Sequence, residues 1–162
     1  GIDIAKEGIQ IASRDYPGVL WCVGDLAKAP LGDKQFHVIL NIFSPSNYGE
    51  FSRLLAEQGL IVKVIPGSGY LQEIREGLYG ATDRASYSND DVVELFAKHY
   101  RKTNSTQVSY QYPVTSQDLA ALVEMTPLSW QASPDKKGEL LRSSLSSVTI
   151  DVTILTGEEP LN

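Results

Sequence analysis

The sequence predicts an α/β domain on a mostly parallel sheet with an antiparallel end, and three observations carry that prediction. Phe36 to Phe43 and Leu60 to Ile65 are apolar runs without polar alternation, as in strands covered on both faces of a parallel sheet. Between them lies a stretch of helical periodicity with Phe51, Leu54 and Leu55 on one stripe, the alternation of a doubly wound sheet. Beyond Pro66 the pattern changes: Gln107 to Tyr112 alternates, and Ser146 to Leu155 is strongly β-branched, which suits antiparallel closing strands.

In chain order, Gly1 to Ile4 reads as the end of a short strand and Ala5 to Arg14 as a helix with Ile9 and Ala12 inward. Tyr16-Pro17-Gly18 is a turn, Val19 to Val23 a strand stopped by Gly24-Asp25, and Ala29 to Asp33 a loop. After the central strand, Ser44-Pro45 removes a ladder donor, Ser46 or Asn47 offers a helix cap, and Gly59 offers a left-handed helix end. Further helices are expected over Tyr70 to Gly77, Asn89 to His99 (with Val92, Val93, Leu95 and Phe96 inside), Thr115 to Met125 and Pro134 to Arg142, with Ala81 to Tyr87 as a loop.

A chain of 162 residues with 42% hydrophobic composition supports one domain over 1–162. The net charge of -6 argues against a surface devoted to nucleic acid, so any RNA contact is local or supplied by another module. Cys22 is the sole cysteine, which excludes a disulfide framework and a cysteine-rich zinc site here and suits the cytoplasm. No apolar run is long enough to span a bilayer, and the amino end lacks the pattern of a signal peptide. The start at Gly1, without methionine, suggests a piece of something longer.

Polar residues just past the carboxyl end of a buried parallel strand mark the crevice where open α/β sheets bind ligands. That puts a site at Asn41, Ser44 and Pro45. Asp3, at the tip of a strand, can accept from both hydroxyls of a ribose or cap the following helix; Asp25 can serve a ligand or a turn. His37 starts the central strand, away from the crevice, and reads as structural; Cys22 reads as a small buried hydrophobe; Lys63, alone in its strand, reaches a cleft or pairs with a carboxylate. Lys98 to Lys102 is the densest basic run, suited to RNA backbone or to a helix carboxyl end.

The order and spacing of GIDI, YPGVLWCVGDLAKAPL, VILNIFSPSNYGEFSRLL, GLIVKVIPGSGYLQEI and LVEMTPLSW resemble the bacterial 23S ribosomal RNA guanine-N1 methyltransferases over essentially the whole chain. The resemblance implies a Rossmann-like class I methyltransferase fold, S-adenosylmethionine as cofactor, and 23S rRNA as partner. It implies that Asp3 binds the ribose, that Asp25 and Leu26 meet the adenine, that Ile4 and Asn41 are further cofactor contacts, and that donor and guanine meet at Asn41, Ile42, Phe43, Ser44 and Pro45, with no assigned base. Lys98, Arg101, Lys102 and Trp130 are its RNA-side candidates. Family members also carry an amino-terminal zinc module, a first strand and a glycine-rich loop, and this sequence starts after all three. The absent strand belongs between the one ending at Asp3 and the central one, so the two edges are expected either to pair directly or to be filled by a homodimer exchanging segments. A small-molecule methyltransferase and a non-enzymatic, self-associating fragment are the alternatives.

Overall fold

The computed structural model describes residues 1–80 and 87–161. In chain order the strands are β1 (Ile2–Asp3), β2 (Cys22–Val23), β3 (Phe36–Ile42), β4 (Leu55–Pro66), β5 (Tyr100–Pro113) and β6 (Ser147–Pro160). The helices are α1 (Lys6–Asp15), α2 (Tyr48–Leu54), α3 (Gln72–Tyr79), α4 (Asp90–Ala97), α5 (Ser116–Met125) and α6 (Pro134–Leu141), with a 3-10 turn at Pro127–Ser129. β1 and β2 pair in parallel as a separate ribbon, and the other four strands form a sheet ordered β3-β4-β6-β5. β3 and β4 are parallel, while β6 runs antiparallel to both β4 and β5.

Side chains alternate across a strand, so Val148 and Leu155 fall on opposite faces of β6, and each anchors a core. Val148 packs with Leu71, Ile74 and Leu78 around α3 and with Leu119, Val123 and Leu140 of α5 and α6. Leu155 packs with Phe51, Ile61, Ile65, Phe96 and Tyr100 beneath α2 and α4. Fully buried side chains such as Ile61, Ile74 and Leu119 each contribute about 1.5–3 kcal/mol by leaving water.

The parallel-then-antiparallel order is as expected, but β3 is not covered on both faces. Ile39 and Asn41 turn inward, whereas Val38, Leu40 and Ile42 are 52%, 65% and 55% exposed. The cause is a missing layer: β3 is an edge of its sheet, β1 does not pair with it, and neither core packs on the face that carries Val38, Leu40 and Ile42. Direct pairing of β1 with β3, one of the two expected outcomes, is therefore not realised.

Smaller corrections have local causes. Gly59 does not end a helix in the left-handed region: α2 stops at Leu54, and Gln58 carries the positive φ of 59°. Gly59 is needed instead for close approach, since a Cβ there would meet Leu55 and the Ala56 carbonyl. The strand read over Val19 to Val23 shrinks to two residues, and Cys22 is only half-buried. α3 begins two residues late, after Leu71 turns left-handed. Leu95 is 48% exposed on α4 rather than inside, while Val92 and Val93 are half-buried and Phe96 is buried. The two closing strands are longer than expected, because β5 and β6 pair in an unbroken antiparallel register along most of their length. The expected loop over Ala81 to Tyr87 lies, apart from Tyr87, outside the described residues.

Candidate cofactor and acceptor site

β3 ends at Ile42, Phe43 follows with φ of 49°, and its N–H donates to the Val64 carbonyl at 3.0 Å, so the chain leaves the sheet over β4. The Ser44-Pro45 turn is then held from beneath. Lys63, 3% exposed, donates from Nζ to Asn41 Oδ1 at 2.6 Å and to the Ser44 carbonyl at 3.1 Å. Asn41, 4% exposed, donates from Nδ2 to the Pro45 carbonyl at 3.1 Å. Lys63 thus neither reaches a cleft nor pairs with a carboxylate. Burial lowers its pKa from the ordinary lysine value, because the charged ammonium is poorly solvated.

Asn47 caps α2, its Oδ1 accepting from the Glu50 N–H at 3.1 Å. Its Nδ2 donates to the Ala27 carbonyl at 3.3 Å, and this bond brings the loop after β2 to the carboxyl end of β3. A second tie lies below. Glu50 accepts from the Ala29 N–H at 2.8 Å and pairs with Arg53, which also reaches the carbonyls of Ala29 and Leu31 and the Asp33 carboxylate. The Arg53 hydrogen bonds hold the Glu50 carboxyl below its usual range, against the desolvation that opposes ionisation.

Within the ribbon, Gly24 N–H donates to the Asp3 carbonyl at 3.0 Å, placing the two acids side by side. Each is set by its own turn: Asp3 Oδ1 accepts from the Ala5 N–H and Asp25 Oδ1 from the Ala27 N–H, both at 2.8 Å. Asp25 takes the turn role expected as its alternative, whereas Asp3 does not cap α1: the N-cap is Ala5, no side chain caps the helix, and the Asp3 bond to the Ala5 N–H closes a local turn ahead of it. These bonds use one oxygen of each carboxylate, and both acids are exposed. The outer oxygens accept only, which suits ribose hydroxyls and an exocyclic amine. Ile4 is 75% exposed and Leu26 half-buried beside them. Asp3, Asp25, Asn47 and the Ser44-Pro45 turn therefore form one continuous rim.

The RNA-side candidates fall elsewhere. Lys102 pairs with Glu158 in the sheet, opposite Leu60 in the middle of β4, and both Arg101 and Lys102 contact Glu159. Lys98 caps the end of α4, and Trp130, 71% exposed, follows the 3-10 turn. None of the four joins the rim. His37 is exposed near the start of β3, away from it. Among the described residues no group of three or more His, Cys, Asp or Glu could hold a metal, and no helix is long and apolar enough to cross a membrane.

Sequence reasoning missed the Glu50–Arg53 clamp and the buried Asp151. The first has a legible signal in its i,i+3 spacing on a helix. The second is the sole acid of the β-branched stretch Ser146 to Leu155; its Oδ2 accepts from the Gly69 N–H and its carbonyl from the Gly67 N–H, each at 2.8 Å.

No family model matches the chain. It is 42% identical over 157 residues to “Putative 23S rRNA (guanine-N(1)-)-methyltransferase YxjB” of Bacillus subtilis (strain 168), covering 97% of this chain and 56% of that protein. The chain is a homologue of the 23S rRNA guanine-N1 methyltransferases. A second relative, the 23S rRNA (guanine(748)-N(1))-methyltransferase of Streptomyces fradiae, is 26% identical over 94% of this chain and 55% of its own length. The homologous chain thus spans about half the length of these curated relatives. Among solved structures, a SAM-dependent methyltransferase from Thermotoga maritima superposes with a TM-score of 0.55 at 13% identity, covering 98% of this chain and 72% of that one. The fold is that of the class I, S-adenosylmethionine-dependent methyltransferases.

Proposed function

We propose that this homologue is the catalytic portion of a longer enzyme that transfers a methyl group from S-adenosylmethionine to N1 of a guanine in 23S rRNA. The observation that carries the reading is the rim: two outward carboxylates, Asp3 and Asp25, tied through Ala27 and Asn47 to the Ser44-Pro45 turn. The cofactor supplies a methyl group already activated on a sulfonium, so the protein mainly aligns and desolvates. Asp3 and Asp25 hold the adenosine end. Lys63 and Asn41 fix the turn over which donor and base meet, acting as positioning residues because their polar atoms are spent on each other and on the turn. The uncovered row of Val38, Leu40 and Ile42 accords with further chain packing there in the longer enzyme. On this reading the enzyme works in the cytoplasm, and zinc belongs to a separate amino-terminal module.

The test is a preparation extended to the length of the relatives, assayed for methyl transfer to protein-free 23S rRNA and for binding of S-adenosylhomocysteine by calorimetry. Turnover is expected, and Asp3→Ala should weaken binding by about 1–3 kcal/mol through lost charge-assisted hydrogen bonds. Absence of guanine-N1 methylation refutes the activity, and unchanged affinity in Asp3→Ala leaves Asp3 with its local turn bond to Ala5 alone.

A second reading concerns the chain by itself and rests on the open edge of β3. An unpaired apolar edge is a template for another strand, so the isolated chain is expected to form homodimers, with segment exchange a route to them. Light scattering after size exclusion should give a dimer at micromolar concentration, and Leu40→Lys should dissociate it. A strict wild-type monomer refutes this.

A further inference from the structure

Where β4 ends, the sheet opens into a cleft of about 270 Å³ that includes Gly67, Tyr87, Asn89, Asp90, Gln107 and Thr153 in its lining. Drug-sized ligands occupy pockets of roughly 300–1,000 Å³, so this one suits a single small ring system. Its polar floor is held in place without a ligand. Gln107 and Thr153 are partners across β5 and β6, and Gln107 Nε2 donates to Asp151 Oδ1 at 3.0 Å. Asn89 leaves its capping role to donate to the Pro66 carbonyl at 2.9 Å and to Thr153 Oγ1 at 3.1 Å. Gly67 is required at the mouth, since a Cβ there would collide with the Asp151 carboxylate.

One wall is the Tyr87 ring, 38% exposed and with the Arg75 guanidinium carbon 5.9 Å from its centroid. An exposed phenol ring is a stacking surface for a nucleobase. On the rim, Asp90 accepts from Ser88 Oγ at 2.7 Å through Oδ2. A carboxylate only accepts, so it favours a base edge that presents an amine. Strands lie about 4.8 Å apart and the order is β3-β4-β6-β5, so a cleft above β4, β6 and β5 begins about 5 Å from β3 and extends to about 14 Å, and a base in its β4 side reaches toward Ser44-Pro45.

We propose that this cleft receives the acceptor guanine, with Tyr87 stacking on the ring and Asp90 accepting from the 2-amino group, which leaves N1 open toward the end of β3. The assignment rests on the guanine reading above and adds residues to it. Adenine lacks the 2-amino group and hypoxanthine differs from guanine only by that group, so Asp90 supplies the discrimination.

The test titrates the chain with guanosine, inosine and adenosine, followed by amide and side-chain chemical shifts in NMR. Guanosine should shift Ser68, Asn89, Gln107 and Thr153 at lower concentration than inosine or adenosine does, while adenosine shifts Asp3 and Asp25. Tyr87→Ala should weaken it about tenfold through lost stacking, Asp90→Asn should reduce guanosine to the level of inosine, and Asp3→Ala should leave it unchanged. Guanosine shifts confined to Asp3 and Asp25 and lost in Asp3→Ala, equal shifts of the cleft residues by the three nucleosides, or no shift in the cleft with millimolar guanosine would each overturn the proposal. The readout is independent of turnover: guanosine binding in the cleft without rRNA methylation sinks the proposed reaction alone, and methylation without that binding sinks the cleft alone.

Discussion

Removing the donors of Lys63 perturbs the turn most directly. Lys63→Met keeps much of the aliphatic stem and deletes the ammonium that serves Asn41 Oδ1 and the Ser44 carbonyl. Asn41 is 4% exposed, so its oxygen is left without a donor at a cost of about 1–3 kcal/mol, while the half-buried Ser44 carbonyl can turn to water for less. Loss of a poorly solvated charge offsets part of this, and a net loss of about 1–2 kcal/mol at neutral pH follows. Lys63→Met combined with Asn41→Leu removes both partners, and the pair should show a coupling energy of about 0.5–3 kcal/mol in a double-mutant cycle. Burial lowers the folded pKa of Lys63 below 10.5, so the unfolded chain binds more protons between the two values. Stability therefore rises with pH across that window in the wild type and not in Lys63→Met. Urea unfolding monitored by circular dichroism and tryptophan fluorescence from neutral pH to pH 10.5 measures both effects. Additive single losses, or identical pH slopes, would refute the buried pairing.

Two further outcomes test the core on the same face of β4, where Ile61 and Ile65 flank Lys63. Gly157→Ala would put a Cβ 2.6 Å from Tyr100 Cγ and 2.9 Å from Phe96 Cζ, and should destabilise by about 1–3 kcal/mol in thermal or urea unfolding; a neutral effect would refute the close packing. The buried Tyr100 hydroxyl has no hydrogen-bond partner among the described residues, and burial raises its pKa far above the usual phenol range. Tyr100→Phe should therefore raise stability by about 1 kcal/mol, and a loss would reveal a partner for the hydroxyl.

Periodicity and turn chemistry in the sequence determined the element order, the antiparallel end and the Asn47 cap, because these depend on neighbours within a few residues. The expected rim residues Asp3, Asp25 and Ser44-Pro45 are brought together, by the Gly24–Asp3 and Asn47–Ala27 bonds, between residues roughly 20 positions apart. Only the tertiary structure decided the rest. The apolar run of β3 cannot reveal whether its second face has a neighbour, and Val38, Leu40 and Ile42 prove exposed because neither core packs on that face. Lys63 finds its partner Asn41 one strand away, and the cleft joins Gly67, Tyr87 and Asp90 to Gln107 and Thr153. Such meetings depend on strand order and register, which local pattern does not encode, so the fold's direction was legible from the chain and its site only in outline.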